Sequence, residues 1–101
     1  PYSLLVTLTL RGKSSEQLET KAENLVVELK KLSTDDRQPI TVLGPYRPIF
    51  QTLQAKYNII LKVPIGSYSL ASRQNAVKNL SKYFYLVPKD WRIIIEPSSL
   101  N

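Results

Sequence analysis

The apolar residues of this chain recur with two different periods, and the order of those periods restricts the possible folds. From Tyr2 to Leu10 every second residue is apolar, which is the pattern of a strand with one buried face. Arg11-Gly12-Lys13 is expected to end that strand. From about Ser15 to Leu32 the apolar residues recur at helical spacing, so we predict a helix whose apolar stripe faces the core. The stripe consists of Leu18, Ala22, Leu25, Val26, Leu29 and Leu32.

Polar residues mark both ends of this first helix. Ser14, with Gln17 three residues later, forms a capping-box pattern. Glu16 lies in the predicted first turn, and Lys30 and Lys31 lie in the last turn. Because a helix dipole favours acids at its start and bases at its end, these charges support the prediction.

Two further strands are predicted between residues 40 and 63. The apolar run Ile40–Leu43 is expected to end at Gly44-Pro45, since proline has no amide hydrogen for a ladder. The run Tyr57–Val63 suits a half-buried pleated surface, and Pro64 and Gly66 are expected to end it. The two strands would pair as an antiparallel hairpin with a long loop.

A second helix and a final strand complete the pattern. The helix is predicted at about Leu70 to Phe84, and the strand from Trp91 to Glu96, before Pro97. Arg73 falls in line with the inward residues of the helix, where it either extends along the helix end or reaches a docked neighbour. The predicted inward residues are Ala76, Val77, Leu80 and Phe84.

The predicted order β-α-β-β-α-β is the split β-α-β, or ferredoxin-like, arrangement. It is an α+β fold in which two helices cover one face of a four-stranded antiparallel sheet. At 101 residues the chain is expected to form a single domain, residues 1–101. Because this fold hosts enzymes, metabolite sensors and nucleic-acid binders, it does not determine the function.

The composition argues against catalysis and against a metal site. The chain has no cysteine and no histidine, which removes thiol chemistry, the commonest metal ligand and the usual general base. It also has no glycine-rich phosphate loop. No apolar run is long enough to suggest a membrane span, and no leader pattern predicts export.

The basic charge is confined to the second part of the chain. Residues 1–38 hold six basic and six acidic residues, whereas residues 39–101 hold eight and two. This distribution, with an isoelectric point near 9.7, favours a surface that faces a polyanion. The alternative is that the charge serves solubility alone.

We predict that the segment around Gly44–Val63 binds nucleic acid. Tyr46 and Arg47 can stack on a base and contact a phosphate, and Lys56, Tyr57 and Lys62 flank the returning strand. The alternative is that both tyrosines pack against Phe50 and the sheet edge. The segment lacks the aromatic pattern of an RNA-recognition motif.

The same segment resembles the C-terminal domain of the bacterial replication-restart helicase PriA, also called primosomal protein N′. The termini agree with that family too, through Pro1-Tyr2-Ser3 and the ending Ile95–Leu100. The central matching segments are Val42-Leu43-Gly44-Pro45, Pro48-Ile49, Leu53, Lys56-Tyr57-Asn58 and Ile59-Ile60-Leu61-Lys62.

The chain departs from the family pattern at four positions. Lys56 and Asn58 stand where the family has arginines, Glu96 replaces an aspartate, and Ile94 stands at an acidic position. Since lysine is a point charge and asparagine is neutral, these changes weaken the expectation of bidentate arginine contacts.

The resemblance implies that the chain is an accessory piece of a larger ATP-dependent DNA helicase that moves 3′ to 5′. The parent would bind ATP and zinc outside this segment, which itself would hold no cofactor and no catalytic residue. The implied partners are branched or single-stranded DNA, the acidic tail of single-stranded DNA-binding protein, other primosome proteins and the remaining domains of the helicase. The implied location is the cytoplasm, at the bacterial nucleoid.

Two other functions are compatible with the sequence. One is a structural domain that positions the helicase lobes, with its positive surface covered by the rest of the parent. The other is a ferredoxin-like sensor of a small ligand. Salt-dependent DNA binding would separate the nucleic-acid reading from both, because phosphate contacts release counterions.

Overall fold

A computed structural model describes residues 2–35, 40–47, 55–65 and 70–98, which contain four strands and two helices. Neither described helix is long and apolar enough to cross a membrane. In chain order the elements are β1 (Tyr2–Gly12), α1 (Ser15–Thr34), β2 (Thr41–Tyr46), β3 (Ala55–Ile65), α2 (Leu70–Phe84) and β4 (Arg92–Ser98).

The four strands form one antiparallel sheet in the order β2-β3-β1-β4. The two longest strands, β1 and β3, lie at its centre, and β2 and β4 form its edges. This topology confirms the predicted α+β, ferredoxin-like fold.

The core lies on one side of the sheet. Alternate residues of β1 and β3 are buried and form a single cluster with the inward residues of both helices. We call this the helix side, and we call the opposite surface of the sheet the open face. The strand residues of the core on the helix side include Leu4, Val6, Leu8, Leu10, Tyr57, Ile59, Leu61 and Val63.

The first helix follows the sequence prediction closely. Ser14 caps it, since the Ser14 hydroxyl accepts a hydrogen bond of 3.4 Å from the Gln17 amide. Five of the six predicted stripe residues are buried, and Leu32 is partly buried. At the other end the buried Ser33 hydroxyl donates to the Ile40 carbonyl at 2.6 Å and accepts from the Ile40 amide at 3.0 Å. Ser33 therefore ties the end of α1 to the segment that enters β2.

The second helix has the predicted bounds but a different inward face. Ala76, Leu80 and Tyr83 are buried, whereas Val77 is 45% exposed and Phe84 is only partly buried. The prediction for Val77 was therefore wrong. Burying Tyr83 with Leu80 places a large aromatic ring in the core and turns Val77 toward solvent.

Prolines do not end the strands where the sequence predicted. Pro64 lies within β3 and Pro97 within β4, and β1 continues through Gly12. Beyond Lys62, β3 has only β1 as a described partner, and β4 is an edge strand. Proline is tolerated within a strand where its nitrogen faces a side that has no neighbouring strand. Gly66, the other predicted terminator, lies outside the described residues.

A bulge carries β2 past Gly44-Pro45, where we predicted its end. Leu43 pairs with Ile60 and Tyr46 pairs with Asn58, so β2 has one more residue than β3 between the two pairs. Gly44 has a φ of 115°, and its peptide bond to Pro45 is cis. A Cβ atom at Gly44 would lie 3.0 Å from the Asn58 carbonyl oxygen. The bulge therefore depends on glycine, and it brings Tyr46 opposite Asn58.

Candidate nucleic-acid interface

The strand register arranges the open face in rows, because directly paired residues point to the same side of a sheet. The polar row crosses all four strands as Tyr46, Asn58, Thr9 and Arg92. Beside it lies a second row, which we call the apolar row because three of its four residues are apolar. It consists of Leu43, Ile60, Thr7 and Ile94.

Positive charge is concentrated at one end of the open face. Lys56 and Arg11 form a direct cross-strand pair next to the polar row, and Arg92 ends that row. Arg47 is exposed and follows β2 at the same end. We call these four residues the basic end. The register therefore places Lys56, Arg11 and Arg92 close to one another at this end of the face.

The other end of the open face is close to electrically neutral. Lys62 and Glu96 lie there on either side of Leu5. Glu96 is the single acidic side chain among the described residues of the open face. The open face therefore has a net positive charge, and most of that charge lies at the basic end.

A hydrogen bond orients the centre of the polar row. The Thr9 hydroxyl donates to the Asn58 side-chain carbonyl oxygen at 3.0 Å. Thr9 is 7% exposed and Asn58 is half-buried, whereas Tyr46 at the end of the row is 48% exposed. The row therefore presents an accessible aromatic ring beside an amide whose orientation is fixed.

The apolar row adds a hydrophobic surface beside these polar groups. Leu43 and Ile94 are 38% and 39% exposed, and Ile60 between them is half-buried. A planar apolar group, such as the face of a base, would remove this surface from water.

The structure places four of the six predicted site residues at the surface of the β2–β3 half of the sheet. Tyr46 and Arg47 are exposed at the end of β2, and Lys56 and Lys62 lie on the open face of β3. Lys62 is separated from Lys56 by six positions along β3 and belongs to the neutral end. The Pro48-Ile49 and Leu53 parts of the predicted segment lie outside the described residues.

Two predicted site residues lie away from the open face. Tyr57 is 5% exposed on the helix side, and its hydroxyl lies 3.5 Å from that of Ser15. The prediction that Tyr57 contacts nucleic acid was wrong, because β3 alternates sides and places the ring in the core. Arg73 lies on α2, in the helical layer, and its side chain is outside the described part of the chain.

Sequence reasoning missed Arg11, Thr9, Asn58 and Arg92. The alternation of β1 and β4 was recognised, but only the register shows that their polar residues meet those of β3. Among the described residues, no group of three or more acidic side chains is placed to hold a metal ion.

Comparison with known proteins supports the fold and leaves the function open. No protein-family model matches the chain, and no curated protein matches it. Among solved structures the chain is similar to a de novo designed protein, Foldit4, with 8% sequence identity and a TM-score of 0.50. The match covers 98% of this chain and 99% of that one. The resemblance to PriA stays a prediction.

Proposed function

We propose that this chain is an accessory nucleic-acid-binding domain and that the open face is its binding surface. The observation that carries the proposal is the basic end, where the register brings Arg11, Lys56 and Arg92 together, Arg47 follows Tyr46, and no acidic residue lies among the described neighbours on that face. Basic groups that neutralise phosphates supply affinity that depends on salt and not on sequence.

The narrower proposal is that the domain serves a replication-restart DNA helicase and binds branched or single-stranded DNA. Its support is the resemblance to the PriA C-terminal domain. Gly44 and Pro45, which carry part of that resemblance, form the bulge that places Tyr46 on the open face. ATP hydrolysis and zinc binding would belong to other domains of such a helicase, and single-stranded DNA-binding protein would be a further partner.

A structural role is the second candidate, and exposed apolar residues favour it. Ile93 and Ile95 of β4 are 39% and 42% exposed on the helix side, because α2 packs mainly on β3. Val77 and Leu70 on α2 are 45% and 65% exposed. Other domains of a larger protein would cover these side chains, so this role does not require DNA.

The test is fluorescence anisotropy of the chain with a labelled DNA fork and, separately, a labelled acidic peptide. Each titration is run at about 50 and 200 mM salt, the range in which phosphate contacts weaken strongly. Lys56→Glu places a negative charge at the basic end. Lys30→Glu, on an exposed position of α1, makes the same charge change away from the open face.

We expect fork binding that weakens steeply with salt, falls about tenfold or more in Lys56→Glu and stays within about twofold in Lys30→Glu. Equal losses in the two variants would show that net charge, and not the open face, determines binding. Absence of fork binding at both salt concentrations would contradict the DNA proposal. Peptide binding that Arg73→Glu abolishes would then indicate a protein-docking role for α2.

A further inference from the structure

We infer that the open face binds an unpaired nucleic-acid strand, with one base stacked on Tyr46 and the edge of a base bonded to Asn58. The inference rests on the proposed function and specifies its ligand. It also assigns distinct roles to three residues of the polar row, Tyr46, Asn58 and Thr9.

The polar row lies between phosphate-binding and base-binding surfaces. Residues two apart on one strand are about 7 Å apart on the same face. Lys56 is one such step from Asn58 on one side, and Ile60 is one step away on the other. A nucleotide whose base lies over Tyr46 and Asn58 would therefore have its phosphate toward Lys56 and Arg11, with the apolar row on the other side of the base.

Tyr46 provides the stacking surface. Its Cδ2 atom lies 3.4 Å from the position that a Cβ atom of Gly44 would occupy, so the ring lies against a residue that has no side chain. About half of the tyrosine remains exposed, at 48%. Stacking on an aromatic ring requires an exposed base face, which a paired base inside a duplex does not offer.

Asn58 provides hydrogen bonding to a base edge. The bond from Thr9 occupies its carbonyl oxygen, which directs the other end of the amide, Nδ2 with two donor hydrogens, away from Thr9. Base edges carry acceptors at positions that differ from base to base, so a fixed donor discriminates among them. Thr9 acts through Asn58 and is a positioning residue.

The positive charge of the open face is complementary to any polyanion, including nucleic acid and an acidic peptide. The polar row favours nucleic acid over an acidic peptide. An acidic peptide would pair with Lys56 and Arg11 but would have no base to stack on Tyr46. Dependence of binding on Tyr46 and Asn58 therefore separates the two ligands.

The experiment measures binding of labelled dA, dC and dT homopolymers of about 12 nucleotides, and of a duplex of equal length, by fluorescence anisotropy. The variants are Tyr46→Leu, Tyr46→Phe, Asn58→Leu, Thr9→Val and Lys56→Gln. Circular dichroism establishes that each variant is folded. Tyr46→Phe keeps the stacking ring and serves as the conservative control.

We expect single strands to bind at least about tenfold tighter than the duplex and Tyr46→Leu to remove about tenfold of that affinity, while Tyr46→Phe retains it. Asn58→Leu and Thr9→Val should reduce the differences among the three homopolymers. Lys56→Gln should weaken all three equally and leave their differences unchanged.

If Lys56→Gln weakens binding while Tyr46→Leu and Asn58→Leu do not, the face binds phosphates alone. That result would contradict the inference but would agree with the proposed function. Tighter binding of the duplex would also overturn the inference. If wild-type protein binds no nucleic acid, the proposed function itself fails. An acidic peptide that binds as tightly to Tyr46→Leu as to wild type, with no strand binding, would assign the face to a protein partner.

Discussion

Replacing Gly44 by alanine tests whether the bulge in β2 depends on glycine. The φ of 115° at Gly44 lies where other residues are strained, which costs about 1 to 3 kcal/mol. The new Cβ atom would also lie 3.0 Å from the Asn58 carbonyl oxygen and 3.2 Å from the Tyr46 amide nitrogen. Because those atoms belong to the backbone, β2 must move away from β3. We expect a loss of roughly 2 to 4 kcal/mol of unfolding free energy and a fall in Tm of about 10 °C or more.

Gly12→Ala is the matched control for this substitution. A Cβ atom at Gly12 would meet Cδ2 of Leu18 at 3.0 Å, but that atom is the end of a flexible side chain and can shift. We expect a loss of less than about 1 kcal/mol, measured for both variants by urea unfolding with circular dichroism. Gly44→Ala should also weaken single-strand binding, because Tyr46 moves with the bulge. Equal, small losses in the two variants would refute the reasoning about Gly44.

Three further predictions concern the interface, the end of α1 and the inward face of α2. If the four groups of the basic end each neutralise a phosphate, the logarithm of the association constant for a single strand should fall with the logarithm of the salt concentration at a slope of about −2.8. Lys56→Gln should reduce the magnitude of that slope to about 2.1. An unchanged slope would place Lys56 outside the interface. Ser33→Ala leaves the Ile40 amide and carbonyl without their buried hydrogen-bond partner. Urea unfolding should therefore show a loss of about 2 kcal/mol of unfolding free energy, and a loss below about 0.5 kcal/mol would contradict that account. Leu80→Ala should cost about 2 to 5 kcal/mol and Val77→Ala less than about 0.5, whereas a loss in Val77→Ala comparable to that in Leu80→Ala would restore the inward face predicted from the sequence.

Much of the fold could be predicted because its elements have strong periodicity. The alternation in β1 and the stripe in α1 identify the first two elements, and the bounds of α2 agree with the prediction. The inward face of α2 could not be predicted, since both Val77 and Tyr83 are candidates for burial and only the packed core, which contains Tyr83, distinguishes them.

The strand ends predicted at prolines and glycines were wrong for a physical reason. Proline excludes a strand only where its missing amide would serve a neighbour, and that depends on the position of the strand in the sheet. The sequence predicts a strand end at Gly44-Pro45 because a bulge and a strand end have the same local sequence signal.

The candidate site was predicted only in part, because a row across a sheet is not contiguous in sequence. Tyr46, Arg47 and Lys56 follow from local composition. Arg11 and Arg92 come from strands that precede and follow this segment by dozens of residues, so their place at the basic end depends on register. The error at Tyr57 has the same origin, since a shift of one residue changes the side of the sheet.

The most direct test of the open-face account is an NMR titration of the isotopically labelled chain with an unlabelled single strand of about 12 nucleotides. We predict that the ring signals of Tyr46 and the side-chain amide signals of Asn58 shift most. The methyl signals of Val27 on α1 and Val77 on α2, both exposed in the helical layer, should stay unchanged. Shifts confined to the helices, with Tyr46 and Asn58 unaffected, would contradict the account.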